Sequence, residues 1–194
     1  WEPLNYSCFL IKDKVVREVF SPHFEDRIVH HLIVSALYKI DDSFIDDSYA
    51  NRKGKGTHKA IRQLQYFMRQ YTQSECSYMQ CDIKSYFVSI DKKILLDIIN
   101  KQIDKLDFLP KDREFLYDLI YKIISQDATI NAKFTGEKSL LKLIPKDKSL
   151  FYQDKGKGRP IGSQTSQFES LIYLNELDWF IKNDLKIKHY IRYV

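Results

Sequence analysis

The sequence predicts a mixed fold, α+β or α/β, and three observations carry that prediction. Short β-branched runs alternate with longer stretches of helical periodicity, so strands and helices are interspersed. Hydrophobic residues make up 44% and charged residues 29% of the 194, which excludes a disordered chain. No apolar run approaches the ~20 residues that a membrane-spanning helix needs. The length suits one domain, or two small subdomains sharing one core.

The elements follow in order. Residues 9–11 and 15–20 are apolar and β-branched, and Lys12-Asp13-Lys14 between them reads as a hairpin turn. Pro22 ends the second strand. Residues 24–38 carry Ile28, Leu32, Val34 or Ser35, and Tyr38 at helical spacing. Residues 41–47 hold four carboxylates and read as a loop. Thr57 is a fair N-cap for a helix reaching about residue 71, with Ile61, Leu64 and Met68 on one face. Residues 78–81 read as a buried strand. Asp91 is a good N-cap for a helix with Ile94, Leu95, Ile98 and Ile99. Pro110 starts another, whose apolar face is Phe115, Leu116, Leu119, Ile120 and Ile123. Residues 129–145 contain strand-like pieces with Gly136 in a turn. Residues 163–182 form a strong helix marked by Phe168, Leu171, Ile172, Leu177 and Ile181. Residues 188–194 alternate like a strand.

Three cysteines, Cys8, Cys76 and Cys81, make no CxxC and cannot all pair, which points to a reducing, cytoplasmic setting. The chain opens on Trp1 without a signal peptide, as expected of a processed chain or a fragment. Glycine is scarce, six in all, or about 3% against a usual ~7%. Five of the six lie in two basic stretches, Asn51 to Thr57 and Lys155 to Gly162. The net charge is +5, and residues 48–70 carry Arg52, Lys53, Lys55, Lys59, Arg62 and Arg69 with no acid. Clustered glycine and positive charge let backbone approach phosphate, which points to a nucleotide or nucleic acid. A solvated, lysine-rich surface with turns is the competing reading.

Asp82 is the sharpest single residue. It closes a short apolar run and precedes Tyr86 and Phe87. A carboxylate there is costly unless it is paired or binds a cation, and Mg²⁺ suits it by its preference for oxygen ligands. A turn-capping role is the alternative. Gly136-Glu-Lys-Ser139 lacks the first glycine of a P-loop. His30 and His31 are adjacent on a helix and read as packing. Asp41, Asp42, Asp46 and Asp47 do not follow a calcium-loop pattern.

Cys81-Asp-Ile-Lys-Ser-Tyr-Phe-Val-Ser-Ile-Asp91 resembles the first catalytic motif of reverse transcriptases. Four further blocks resemble that family in its own order. They are the hairpin and helix of residues 9–31, Ala50 to Ala60, Gly158 to Asp178, and Ile191-Arg-Tyr-Val194 leading toward a Tyr-x-Asp-Asp turn. Pro160-Ile161-Gly162 stands where most prokaryotic enzymes have Pro-Gln-Gly. Together with Thr165-Ser166-Gln167, it is similar to the enzymes of diversity-generating retroelements. Those copy a template RNA into mutagenic cDNA, with errors concentrated at adenines. Group II intron and retron enzymes are the near alternatives.

The resemblance implies an α+β fold comprising the fingers and partial palm of a right-hand polymerase, thumb absent. Fingers would span residues 1–75 and 104–160, and palm 76–103 and 161–194. It implies template-directed transfer of deoxynucleotides to a primer, with two Mg²⁺ ions about 3.5–4 Å apart. Asp82 would be the catalytic carboxylate, and the Ile83 carbonyl a second metal ligand. The family's remaining Asp-Asp pair would follow Val194, so the chain as it stands is expected not to polymerise. Lys12, Arg17, Phe87, Ile161 and Gly162 would contact the incoming nucleotide. Lys14, Arg52, Lys53, Lys55, Lys157, Arg159 and Gln167 would contact template. The implied partners are an RNA template, a primer strand, deoxynucleotides and a retroelement accessory protein, with no membrane. A non-catalytic nucleic-acid-binding module on a polymerase-like fold is the alternative.

Overall fold

The N-terminal segment forms the expected hairpin. In the computed structural model, which describes residues 1–71 and 77–193, β1 (Ser7–Lys12) and β2 (Val16–Ser21) pair antiparallel. Ser7 lies opposite Ser21 and Lys12 opposite Val16. A short third strand, β3 (Lys133–Thr135), adds parallel to β1, giving the order β2-β1-β3. The helices are α1 (Phe24–Ala36), α2 (Thr57–Arg69), α3 (Tyr86–Ser89), α4 (Lys92–Asp104), α5 (Pro110–Ser125) and α6 (Gln164–Trp179). The last runs into a π-turn at Phe180–Asp184. None of the helices is long and apolar enough to cross a membrane, among the described residues.

The contacts divide the chain into two compact units. One is Trp1–Tyr38 with Lys84–Ser170, and the other is Lys39–Ile83 with Leu171–Val194. These boundaries differ from the fingers and palm ranges drawn from the resemblance. Residues 39–71 group with the C-terminal segment, and residues 84–103 group with the hairpin.

In the first unit, the inward face of the sheet builds a small core of Tyr6, Cys8, Phe20, Val88, Ala128 and Leu150. Phe151 stacks on it, its ring 5.5 Å from Phe20. Asp91 caps α4 as expected, its Oδ1 accepting from the amides of Lys93 (2.9 Å) and Ile94 (3.0 Å). Pro110 opens α5, whose Leu116, Leu119, Ile120, Ile123 and Ile124 are buried; α4 packs against it with Leu95, Ile98, Ile99 and Ile103. Phe115 and Ile94, expected on the apolar faces, are exposed.

Arg159 ties this unit together. Its side chain is buried, and Nε and Nη2 donate to the two Glu169 carboxylate oxygens at 2.6 and 3.2 Å. Nη1 donates to the carbonyls of Ile123 and Ile124 at 3.0 and 3.1 Å, in the last turn of α5. A buried cation thus meets both a carboxylate and the negative end of a helix.

The second unit repeats the device. Arg192 donates to both oxygens of buried Asp178, with Nη2 2.7 Å from Oδ2, and Tyr190 Oη donates to Oδ1 at 2.8 Å. The Tyr190 hydroxyl is pushed up by burial and by that carboxylate. Among the described residues, 188–193 form no strand, and an isolated parallel bridge joins Ser48 to Arg192.

Three further sequence expectations need correction. Residues 78–81 are not a buried strand. They are irregular, with Tyr78 91% and Met79 87% exposed, because no strand among the described residues offers them a ladder partner. The buried face of α1 is Asp26, His30 and Ile33, followed by Leu37, not the Ile28 and Leu32 stripe. Its polar members find partners inside, since Asp26 accepts from the Leu4 amide at 3.0 Å and His30 meets a hydroxyl described below. On α2, Ala60 is buried while Ile61, Leu64 and Met68 are exposed.

Substituting Glu169→Gln leaves the Arg159 charge buried without its counter-ion. Removing one partner of such a pair costs about 3–5 kcal/mol, which urea unfolding monitored by circular dichroism reads as a lowered midpoint.

Candidate functional site

Three segments distant in sequence meet around one glycine-containing turn of the first unit. The Phe20 amide on β2 donates to the Ile161 carbonyl at 2.7 Å. The Arg159 amide donates to the Phe87 carbonyl at 2.7 Å, and the Gly158 amide to the Ile90 carbonyl at 2.8 Å. The Lys92 amide reaches back to the Gly156 carbonyl at 3.0 Å. The hairpin, the segment just after Asp82 and the Pro160-Ile161-Gly162 turn are therefore fixed to one another through backbone.

Glycine is needed at two of these points for packing. Gly162 has φ +119°, and a Cβ there would sit 2.7 Å from the Phe20 carbonyl oxygen and from Val19 Cγ1. Gly158 has φ +86°, and its Cβ would strike the Leu150 side chain. Gly54 and Gly56 also have positive φ, but open space surrounds them.

The register sorts the hairpin residues. Lys12 pairs with Val16, on the face that carries Cys8, Glu18 and Phe20. Arg17 pairs with Ile11 on the opposite face, with Val19, the face that meets Gly162. Arg17 and Lys12 are both exposed but point to opposite sides of the ribbon, and Lys14 is exposed in the turn. Phe87 is half-buried in α3, its ring 5.4 Å from Tyr86. Ile161 is 37% exposed and Gly162 is exposed.

Asp82 and Ile83 belong to the second unit. Both are exposed in the irregular segment before α3, and Asp82 has no partner among the described residues. The Asp82 carboxylate and Ile83 carbonyl are hard oxygen donors, suited in kind to Mg²⁺. They are too few to hold two ions, and no three His, Cys, Asp or Glu side chains gather among the described residues.

The expected template contacts separate into two sets. Arg52 turns inward: Nε and Nη2 bind the two Asp41 carboxylate oxygens at 2.8 and 3.1 Å, and Nη1 donates to the Ile45 and Ser48 carbonyls. Lys55 pairs with Asp46, and Arg159 is buried as described. Those cations are occupied internally, because each has a carboxylate within reach; Asp41 and Glu169 are largely buried and need the partner, whereas Asp46 is exposed. Lys53, Lys157 and Gln167 are exposed.

A buried polar cluster lies immediately beyond the turn. Ser163 Oγ accepts from the Ser166 amide at 3.1 Å, which caps α6. It also lies 3.2 Å from Thr165 Oγ1 and 2.8 Å from Ser166 Oγ. His30 Nδ1 on α1 is 2.7 Å from Thr165 Oγ1. Burial, with the Arg159 charge, lowers the His30 pKa from 6.5 to about 4. Sequence reasoning read His30 as packing and missed the hydroxyls; the run Ser163, Thr165, Ser166 at a helix start was the available signal.

Glu18 was missed as well. It accepts from Ser149 Oγ at 2.9 Å and from the Leu150 amide, and burial raises its pKa. Burial, with the Glu18 charge, pushes the Cys8 thiol up to about 12. The signal was its register: an acid two residues before Phe20 on the inward face of a strand. Cys81 is exposed and unpaired, and Cys76 lies outside the described residues.

No protein-family model and no curated protein matches this chain.

Gly162→Ala forces a Cβ against the Phe20 carbonyl at a left-handed φ. It is expected to lower stability by more than about 1 kcal/mol, read as a fall in thermal midpoint. His30 supplies a pH dependence. Its folded pKa lies below its unfolded value, so its contribution is present above pH 6.5 and is lost as pH falls toward about 4. That displacement is worth up to about 3 kcal/mol. Glu18 and Asp26 shift the opposite way, so the check compares wild type with His30→Asn between pH 4 and 7. The difference in their unfolding midpoints is expected to narrow as the pH falls.

Proposed function

We propose that this chain carries the fingers and part of the palm of an RNA-directed DNA polymerase, of the kind found in diversity-generating retroelements. One observation supports this reading above others. The hairpin block, the block following Asp82 and the Pro160-Ile161-Gly162 block are separated widely in sequence yet hydrogen-bonded around a single turn.

In this reading Arg17, on the hairpin face shared with Val19, grips the triphosphate, with Lys12 at the ribbon tip. Phe87 excludes a ribose 2′-hydroxyl. Ile161 and Gly162 lie against the incoming nucleotide, and the isoleucine offers it no hydrogen bond, which fits low discrimination. Template backbone is tracked by the exposed cations Lys14, Lys53, Lys155 and Lys157, in salt-sensitive contacts. Asp82 and the Ile83 carbonyl hold magnesium, which supplies charge stabilisation for phosphoryl transfer. A second ion needs carboxylates in addition to Asp82.

The test is primer extension on an RNA template, using protein expressed from the native reading frame that contains this sequence. Asp82→Asn is expected to slow extension at least about 100-fold, since even outer-shell partners of a metal are worth 10–100-fold. Equal rates in the two proteins refute the metal role. An inactive wild type that still binds RNA in a salt-sensitive manner favours the non-catalytic binding module instead.

A further inference from the structure

We propose that His30 is a positioning residue for the nucleotide-facing turn, acting through the hydroxyls of Thr165 and Ser163. The inference rests on the polymerase reading above and extends it to a residue that touches neither nucleotide nor metal.

The turn at Ile161-Gly162 lies between two anchors. Before it, Arg159 is held by Glu169 and by the end of α5. After it, Ser163 caps α6 and is linked through Thr165 Oγ1 to His30 Nδ1 on α1. Ile161 and Gly162 are themselves exposed, so their placement depends on these two anchors and on the Phe20 amide.

A purely packing role fits His30 poorly. Burying an imidazole among hydroxyls is costly unless their hydrogen bonds are made, and an apolar side chain would fill the space without that cost. Here the imidazole meets a hydroxyl three residues beyond Gly162. The polar contact joins α1 to the turn and to nothing else in the hydrogen-bond network described for His30. Loosening this anchor while Arg159 holds the other lets Ile161 shift against the bound nucleotide. Nucleotide affinity then suffers more than turnover.

The experiment measures steady-state primer extension by the full-length protein, separating the deoxynucleotide KM from kcat. Thr165→Val removes the hydroxyl at nearly constant shape, and His30→Leu removes the imidazole. Each is expected to raise the nucleotide KM about fivefold, the worth of one hydrogen bond, with kcat changed less than about twofold. Thr165→Ser and His30→Asn keep polar partners and are expected to return KM to within about twofold of wild type. Circular dichroism confirms that each variant folds, and Ser163→Ala replaces Thr165→Val if the latter does not. Unchanged KM in folded variants of an active wild type overturns the positioning role alone. So does a loss confined to kcat. A wild type that extends no primer overturns the polymerase reading, and this inference with it.

Discussion

A buried guanidinium at Arg159 is the constraint on which the first unit depends. Taking that charge out of water is tolerated because Glu169 and two carbonyls at the end of α5 surround it. Its own backbone amide is bound to Phe87, one step along from the Gly158 bond to Ile90. One residue therefore joins the glycine-containing turn, the segment after Asp82, α5 and α6. The same charge acts at longer range. It disfavours further cations nearby, which adds to burial in holding His30 neutral and in lowering the pKa of Lys92. The turn thus sits beside one permanent cation and one imidazole that stays neutral until the pH falls toward about 4.

The second unit is organised by the same chemistry. Arg192 with Asp178, and Arg52 with Asp41, are carboxylate pairs in which the arginine side chain is largely withdrawn from solvent. Lysines more often stay outside: Lys14, Lys53, Lys155 and Lys157 are exposed. The division follows from the two side chains. A planar, weakly hydrated guanidinium satisfies a carboxylate with two parallel bonds, whereas an ammonium is better left hydrated. Positive charge that looked uniform along residues 48–70 is therefore of two kinds. Internal ties come from Arg52 and Lys55, and the outward charge from residues such as Lys53.

Much of the local structure was legible. The hairpin, the Asp91 cap, the Pro110 start and the long helix after Gly162 were read from turn residues, capping residues and periodicity, which are short-range signals. The candidate turn was legible in composition, because glycine clusters stood out against a glycine-poor chain. Its purpose at Gly158 and Gly162 was not. Those residues let strand and side chain approach, and that need comes from Phe20, Val19 and Leu150, all far away in sequence. Nor could the α1 face be read by hydrophobicity, since Asp26 and His30 are buried while Ile28 and Leu32 are exposed. A buried polar residue is recognised by its partner, and both partners, Leu4 and Thr165, lie outside the helix.

By itself, then, the sequence determined the mixed class, most element boundaries and the order of the blocks that resemble a polymerase, because spacing, caps and turn residues act within a few positions. The tertiary structure decided which of those residues share a face, which charges are used internally, and that residues 78–81 stay unpaired among the described residues. Those outcomes depend on partners brought together only by folding. Register placed Arg17 and Lys12 on opposite sides of the hairpin, and a carboxylate ten residues downstream drew Arg159 out of solvent and made it the tie that holds the turn.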